Sequence, residues 1–122
     1  MCKILLSINP EHVENILNGS KKVEYRKVTC HCDVDKILIY STSPVMKVVG
    51  EAVVLEVIED LPDNVWSLTS QDAGITRNFF DKYYENKTKA VAFKLGKVTK
   101  YKHPLSLSDL GVNSAPQSFT YI

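Results

Sequence analysis

From Gly19 to Arg26 the chain reads Gly-Ser-Lys-Lys-Val-Glu-Tyr-Arg, which gathers two ammonium groups, a carboxylate and a guanidinium within one short stretch. A carboxylate beside fixed positive charge can accept hydrogen bonds from a ligand amine or take a proton. The cations can hold a phosphate or polarise a carbonyl. Alternation decides which groups act together. In an extended segment Lys22, Glu24 and Arg26 share one face and Val23 and Tyr25 the other, with Lys21 at the turn before them and able to swing towards the charged face. One face can then join a core while the other presents chemistry. The competing reading is an exposed strand with a structural ion pair.

The elements around this stretch must hold it in place. Ile4, Leu6 and Ile8 alternate on one face of a first strand over 3–8. Asn9 is a helix cap and Pro10 suits the first helical position. Val13, Ile16 and Leu17 recur at helical spacing, and Gly19 ends the helix because only glycine enters the left-handed region without steric cost. A buried strand over 36–40 runs into Ser41-Thr42-Ser43-Pro44, a loop dense in hydroxyls at a strand end. Residues 47–59 read as one long strand, with Gly50 marking a bulge or bend that helps curl a sheet.

Residues 63–85 read as helical in two pieces, broken near Ala73-Gly74, with Thr76 capping the second. Phe79 with Tyr83, and Phe80 with Tyr84, form two neighbouring stripes. A stacking shelf for a base is one reading of these aromatics; the covered end of a barrel is the one preferred, and Trp66 is read the same way. Residues 89–95 alternate as a strand, Gly96-Lys97 suits a tight hairpin turn, and a returning strand over 98–103 ends at Pro104. A short helical turn over 105–110 closes at Gly111. The tail from Ser114 to Ile122 is apolar and aromatic enough to dock.

Composition bounds the function. The 122 residues, 44% hydrophobic and 24% charged, read as one domain over 1–122 with room for a core. The early Asn9-Pro10 interrupts the apolar start too soon for a signal peptide or membrane span, and three cysteines, an odd number, argue against a secreted disulfide framework. A cytoplasmic protein is expected. Net charge of +1 excludes a general polyanion binder. Charge is uneven along the chain: residues 48–76 carry six acids and no lysine or arginine, whereas residues 77–103 carry eight lysines and arginines against Asp81 and Glu85. That suits a local contact with phosphate, and equally two solvated faces. Cys30-His31-Cys32 does not have a usual zinc spacing, Cys2, His12 and His103 add no support, and the reading is a loop with incidental thiols and no metal.

Gly19, Lys21, Glu24 and Arg26 match the Gly-x-Lys-x-x-Glu-x-Arg signature of the ASCH domain family, a branch of the PUA-like superfamily, and the chain resembles that family along its length. Tyr40 to Pro44 is similar to a Tyr-x-Thr-Ser-Pro-like segment of ASCH proteins, and the tail to their Pro-Gln-Ser-Phe-x-Tyr-like ending. The resemblance implies an α+β fold, a small mixed β-barrel of five to six strands with helices covering its ends, and a cleft beside the signature that receives RNA or a modified base. The implied ligand-binding residues are Lys21, Lys22, Glu24, Arg26, Tyr40, Ser41, Thr42, Ser43, Gln117, Ser118 and Tyr121. Tyr40 or Tyr121 would stack on a base, and no cofactor is called for.

Two classes of function follow. One is an RNA- or nucleotide-binding module, with regulation among its uses. The other is a hydrolase with Lys21 and Glu24 catalytic. Similar small ASCH proteins deacetylate acetylcytidine with a lysine, a threonine and a glutamate, which fall on Lys21, Glu24 and Asp72. A glutamate in place of the threonine removes the hydroxyl nucleophile, so Glu24 would have to activate water, with Lys21 stabilising the oxyanion. Other relatives are linked to ribonuclease action, for which Lys21, Glu24 and Arg26 can serve as base and phosphate clamp. A non-catalytic protein-interaction domain is the third reading, with no exposed apolar run to support it.

Overall fold

The computed structural model describes residues 2–30 and 33–122. His31 and Cys32, and with them most of the cysteine–histidine segment, lie outside the described residues. Among those described, six strands and three α-helices follow in the order β1 (Cys2–Ile8), α1 (Pro10–Leu17), β2 (Val23–Arg26), β3 (Val34–Ser41), β4 (Lys47–Asp60), α2 (Pro62–Thr69), α3 (Arg77–Tyr83), β5 (Ala90–Leu105) and β6 (Phe119–Tyr121). The strands form one mixed sheet in the order β2-β5-β4-β3-β1-β6. Only β1 and β3 run parallel, joined by the crossover that carries α1 and β2. The sheet curls into a half-barrel.

Local chemistry explains the helices. The Asn9 carboxamide oxygen accepts from the Glu11 amide at 3.0 Å, with Pro10 in the first turn. Gly19 then turns the chain at φ +87°. The Thr76 hydroxyl accepts from the Phe79 amide at 3.1 Å and starts α3. The short helical turn near the end, Ser108–Leu110, closes on Gly111 at φ +73°.

Alternation sorts side chains to the two faces of the sheet. Ile4, Leu6, Ile8, Ile37, Ile39, Val91, Phe93 and Leu95 fill the curl together with Val13 and Ile16 of α1. Leu5, Leu38, Tyr40 and Val48 face the other way and are covered by Leu105, Leu107 and Leu110. Val23 and Tyr25 pack beneath α2 and α3 with Val65, Phe80 and Tyr84. Burying this apolar area stabilises the fold at about 25 cal/mol per Å².

One expectation fails. Gly96-Lys97 does not turn a hairpin: β5 continues through it for 16 residues. Both halves of β5 find their partner in β4, which is itself 14 residues long, with Leu95 opposite Val54 and Val98 opposite Ala52. Gly96 is not among the glycines with positive φ. Its role is close approach, since a Cβ there would meet Leu55 Cδ2 at 2.8 Å, and the register shifts on either side of Val54. Gly50 behaves as expected. It sits at register shifts against both β3 and β5, and a Cβ would meet the Thr99 carbonyl oxygen at 2.6 Å.

Candidate functional site

The sheet does not close. Its edges are β2 on one side and β6, lying on β1, on the other. Arg26 spans the gap. Its Nη1 donates to the Ser7 carbonyl at 3.2 Å and to Glu24 Oε2 at 3.2 Å. Its Nη2 donates to the Ser118 carbonyl at 3.0 Å and reaches the Ser118 hydroxyl at 3.3 Å. One guanidinium therefore ties β2 to β1 and to the segment entering β6, where backbone pairing has run out.

Beside this tie lies a cavity of about 180 Å³, lined by Ser7, Ile8 and Asn9 from one edge, Lys21, Glu24, Tyr25 and Arg26 from the other, and His12, Ile75, Phe79 and Tyr83 from the helical side. Its volume is close to the roughly 150 Å³ of a cavity that holds benzene. It suits one flat ring.

Lys21 is 3% exposed and Glu24 5%. Lys21 is fixed at both ends: its amide donates to the Asn15 carbonyl at 3.0 Å, and its Nζ donates to the Ala73 carbonyl at 2.9 Å. The ammonium also lies 4.9 Å from the centre of the Tyr25 ring, within reach of a cation–π contact. The loop that receives it requires Gly74, at φ +67°, where a Cβ would lie 2.5 Å from Lys21 Cβ. Burial lowers the proton affinity of Lys21 below the ordinary lysine range, and the Glu24 carboxylate offsets part of that effect. Glu24 gives one oxygen to Arg26; the other has no hydrogen-bond partner among the described residues.

Tyr25 is aimed by a relay. The Thr69 hydroxyl donates to the Val65 carbonyl at 2.7 Å, so it must accept from the Tyr25 hydroxyl, also at 2.7 Å. Burial holds the Tyr25 phenol above its usual range, with the Thr69 bond acting the other way. The Tyr84 hydroxyl donates to the Arg26 carbonyl at 2.7 Å and fixes the end of β2.

The remaining expected site residues are dispersed. Lys22 is exposed and lines a separate groove with Asn18, Leu95 and Gly96. Ser41 is buried at the end of β3 and faces a groove with Pro10, Val13 and Tyr101. The Thr42 amide is bonded to the Ile8 carbonyl at 3.1 Å, which ties the hydroxyl loop to the rim, but neither Thr42 nor exposed Ser43 lines the cavity. Tyr40 is buried on the opposite face of the sheet and lines a groove with Ser106 and Val112. Tyr121 is exposed and packs edge-on to Phe119, and Gln117 is exposed. Ser118 reaches the seam through Arg26. Asp72 is exposed and gives its carbonyl to the Lys22 amide at 2.9 Å, while its side chain is not part of the cavity wall.

Sequence reasoning missed Ser7 and His12, and it placed the α3 aromatics only in part. Phe80 and Tyr84 are core, whereas Phe79 is 48% exposed and lines the cavity with Tyr83. Among the described residues no group of three His, Cys, Asp or Glu side chains is placed to hold a metal ion, and no helix is long and apolar enough to cross a membrane. Cys30 is a free, half-buried thiol whose proton affinity is raised by burial and lowered by Arg26.

A curled mixed half-barrel of six strands with three α-helices is the arrangement of an ASCH domain of the PUA-like class. The family model described as a domain of unknown function, DUF365, matches residues 2–113, and the chain belongs to that family. The chain is 33% identical over 120 residues to ATP synthase subunit alpha of Ureaplasma parvum and 32% identical over 120 residues to that organism's large ribosomal subunit protein uL22. In both cases 98% of this chain is covered, but it spans only 15% and 39% of those proteins. It is 29% identical to an ASCH domain-containing ribonuclease of Zymomonas mobilis, covering 97% of this chain and 82% of that one. The crystal structure of ASCH from Zymomonas mobilis superposes with a TM-score of 0.88 at 28% identity, covering 98% of this chain and 87% of that one. Structures of a tyrosine-to-phenylalanine and a serine-to-alanine variant of the Zymomonas protein superpose equally well.

Proposed function

We propose that this chain binds RNA and takes one unstacked base into the seam cavity. The observation that carries the reading is the convergence of Lys21, Glu24 and Arg26 on a pocket the size of a single ring. The free oxygen of Glu24 is an acceptor for a base amine, and Lys21 is a donor for a carbonyl. Arg26 spends its terminal nitrogens on Glu24, Ser7 and Ser118, so it shapes the pocket more than it grips phosphate. Backbone contacts would come from exposed lysines such as Lys22. Single-stranded RNA is the form whose bases can be splayed out and read in this way. In this reading the domain spans 1–122, works in the cytoplasm and needs no cofactor.

A second reading adds cleavage, and the Zymomonas ribonuclease favours it over the acetylcytidine reaction. Glu24 would take the proton of a ribose 2′-hydroxyl as the 2′ oxygen bonds to phosphorus. The P–O5′ bond would break and the Lys21 ammonium would protonate the leaving oxygen. The acetylcytidine chemistry has less support, because the Asp72 side chain is not part of the cavity wall.

The test is the affinity of a short mixed-sequence single-stranded RNA, measured by fluorescence anisotropy across a salt series, with the products followed on a gel. Wild type should bind with a log–log salt slope of about −0.7 per phosphate contacted. Lys21→Ala and Glu24→Gln should each weaken binding by about tenfold or more. Wild-type affinity retained in both variants would overturn the binding site. Cleavage that persists unchanged in Glu24→Gln would remove the second reading.

A further inference from the structure

His12 stands on the third position of α1 and lines the seam cavity. Its Nδ1 is buried and has no hydrogen-bond partner among the described residues, the only buried side-chain nitrogen or oxygen among them in that state. Buried polar atoms are nearly always paired, because leaving one unmade forfeits its hydration without return. A histidine kept only for packing would be replaced by leucine or phenylalanine at no cost. The ring is not otherwise spent on structure. It meets Phe79 edge-on, with centroids 5.4 Å apart and planes at 76°.

Phe79 is a second oddity at the same place. It is a large aromatic on α3, half exposed, and it lines the cavity that His12 lines from α1. The two rings therefore stand on different helices at one pocket and touch each other at right angles. A flat ligand in the cavity meets Phe79 and the imidazole together, with Nδ1 closed to it in the present ring orientation. Turning the imidazole about Cβ–Cγ, a broad two-fold torsion, exchanges Nδ1 with Cδ2 and changes which side of the ring carries the nitrogen.

We propose that His12 is a specificity residue of the cavity, using Nδ1 to hydrogen-bond the polar edge of a nucleobase that stacks on Phe79. This rests on the reading of the cavity as an RNA base pocket, and it adds a third polar contact to those of Lys21 and Glu24. Three directional contacts and one stacking face define the orientation of a planar base, whereas Lys21 and Glu24 alone would accept it in several. His12 therefore sets which base edge is accepted, and Phe79 supplies affinity that is indifferent to the base.

The experiment measures anisotropy with short single-stranded RNAs of each homopolymer sequence, together with thermal unfolding, for wild type, His12→Phe, His12→Asn, Phe79→Ala and Lys21→Ala. His12→Phe removes the orphan nitrogen and should melt at or above the wild-type temperature while losing about tenfold in affinity for the preferred RNA, with the preference flattened. His12→Asn carries a polar atom close to the Nδ1 position and should recover most of that loss. Phe79→Ala should weaken all the RNAs alike. In wild type, the Nδ1 resonance of His12 should shift when the preferred RNA is added, while exposed His103 serves as a reference. Affinity and preference unchanged in His12→Phe would overturn the proposal, as would a lower melting temperature with binding intact, which would make His12 a packing residue. If Lys21→Ala loses binding and His12→Phe does not, the pocket reading stands and this one falls. If wild type binds none of the RNAs, both fall.

Discussion

Gly74→Ala tests whether Lys21 is held where the site requires it. Gly74 sits at φ +67°, and an added Cβ would lie 2.5, 2.7 and 2.8 Å from Cβ, Cγ and Cα of Lys21. Two costs arise. An alanine in the left-handed region costs about 1–2 kcal/mol. Relieving a contact with a pinned neighbour adds about 1–3 kcal/mol. Lys21 cannot simply step aside, because its amide is bonded to Asn15 and its ammonium to Ala73. Gly19 isolates the first cost: it has φ +87° and nothing within 4 Å of an added Cβ. For 122 residues, at about 2.1 cal/mol/K each, 1 kcal/mol is worth about 4 °C in melting temperature. Gly19→Ala should therefore melt about 4–8 °C below wild type, and Gly74→Ala about 4–12 °C lower still. Any gain from restricting the unfolded chain is common to both and cancels in the difference. The assay is thermal unfolding followed by circular dichroism, with RNA affinity measured on the folded proteins. Equal melting temperatures for the two variants, or full RNA affinity in Gly74→Ala, would refute the placement of Lys21.

Arg26→Ala removes the tie across the seam and leaves Glu24 buried without its partner. It should cost about 3 kcal/mol in chemical denaturation and speed amide exchange at Phe119–Tyr121, and unchanged exchange there would show that Arg26 does not hold β6. Lys21→Met removes a buried amine whose native proton affinity is depressed. The unfolded chain binds that proton more tightly, so wild-type stability relative to Lys21→Met should rise with pH as Lys21 discharges, up to the unfolded lysine range; a difference that falls with pH would contradict the burial. Gly50→Ala should cost about 2–3 kcal/mol because its neighbour is the Thr99 carbonyl in a paired strand. Gly96→Ala should cost less than about 1 kcal/mol because its neighbour is the exposed Leu55 side chain, and denaturation midpoints in the reverse order would contradict that reading of the two glycines.

What could be read from the sequence was local. Asn9, Pro10, Gly19 and Thr76 act within a few residues of themselves, and each does what its type dictates. The charged stretch was legible for the same reason, since alternation alone puts Glu24 and Arg26 on one face of β2. The limits appear wherever the partner is distant. Gly96 has the local chemistry of a turn, but whether β5 turns or continues depends on how far β4 runs beside it. Lys22 has the right parity, yet its segment is bonded to Asp72 and Leu95 and its side chain leaves the cavity. Ser41 and Tyr40 sit at a strand end as expected, on walls that the curl turns away from the seam. His12 and Phe79 meet only because α1 and α3 pack across an opening that no stretch of sequence describes.

Several costly features of this fold meet at that opening. A lysine and a glutamate are buried there, a histidine nitrogen goes unpaired, and a glycine holds positive φ so that the lysine can fit. Closing a sheet demands none of these: apolar side chains would fill the same seam with equal or greater stability, as they do elsewhere in the curl. The guanidinium of Arg26 explains only its own carboxylate partner. It does not explain why Lys21 is buried against Tyr25 when a methionine would pack there, or why Nδ1 of His12 faces no acceptor or donor. Buried charge and an unpaired buried nitrogen gathered at one cavity are the pattern expected of groups retained for what enters it.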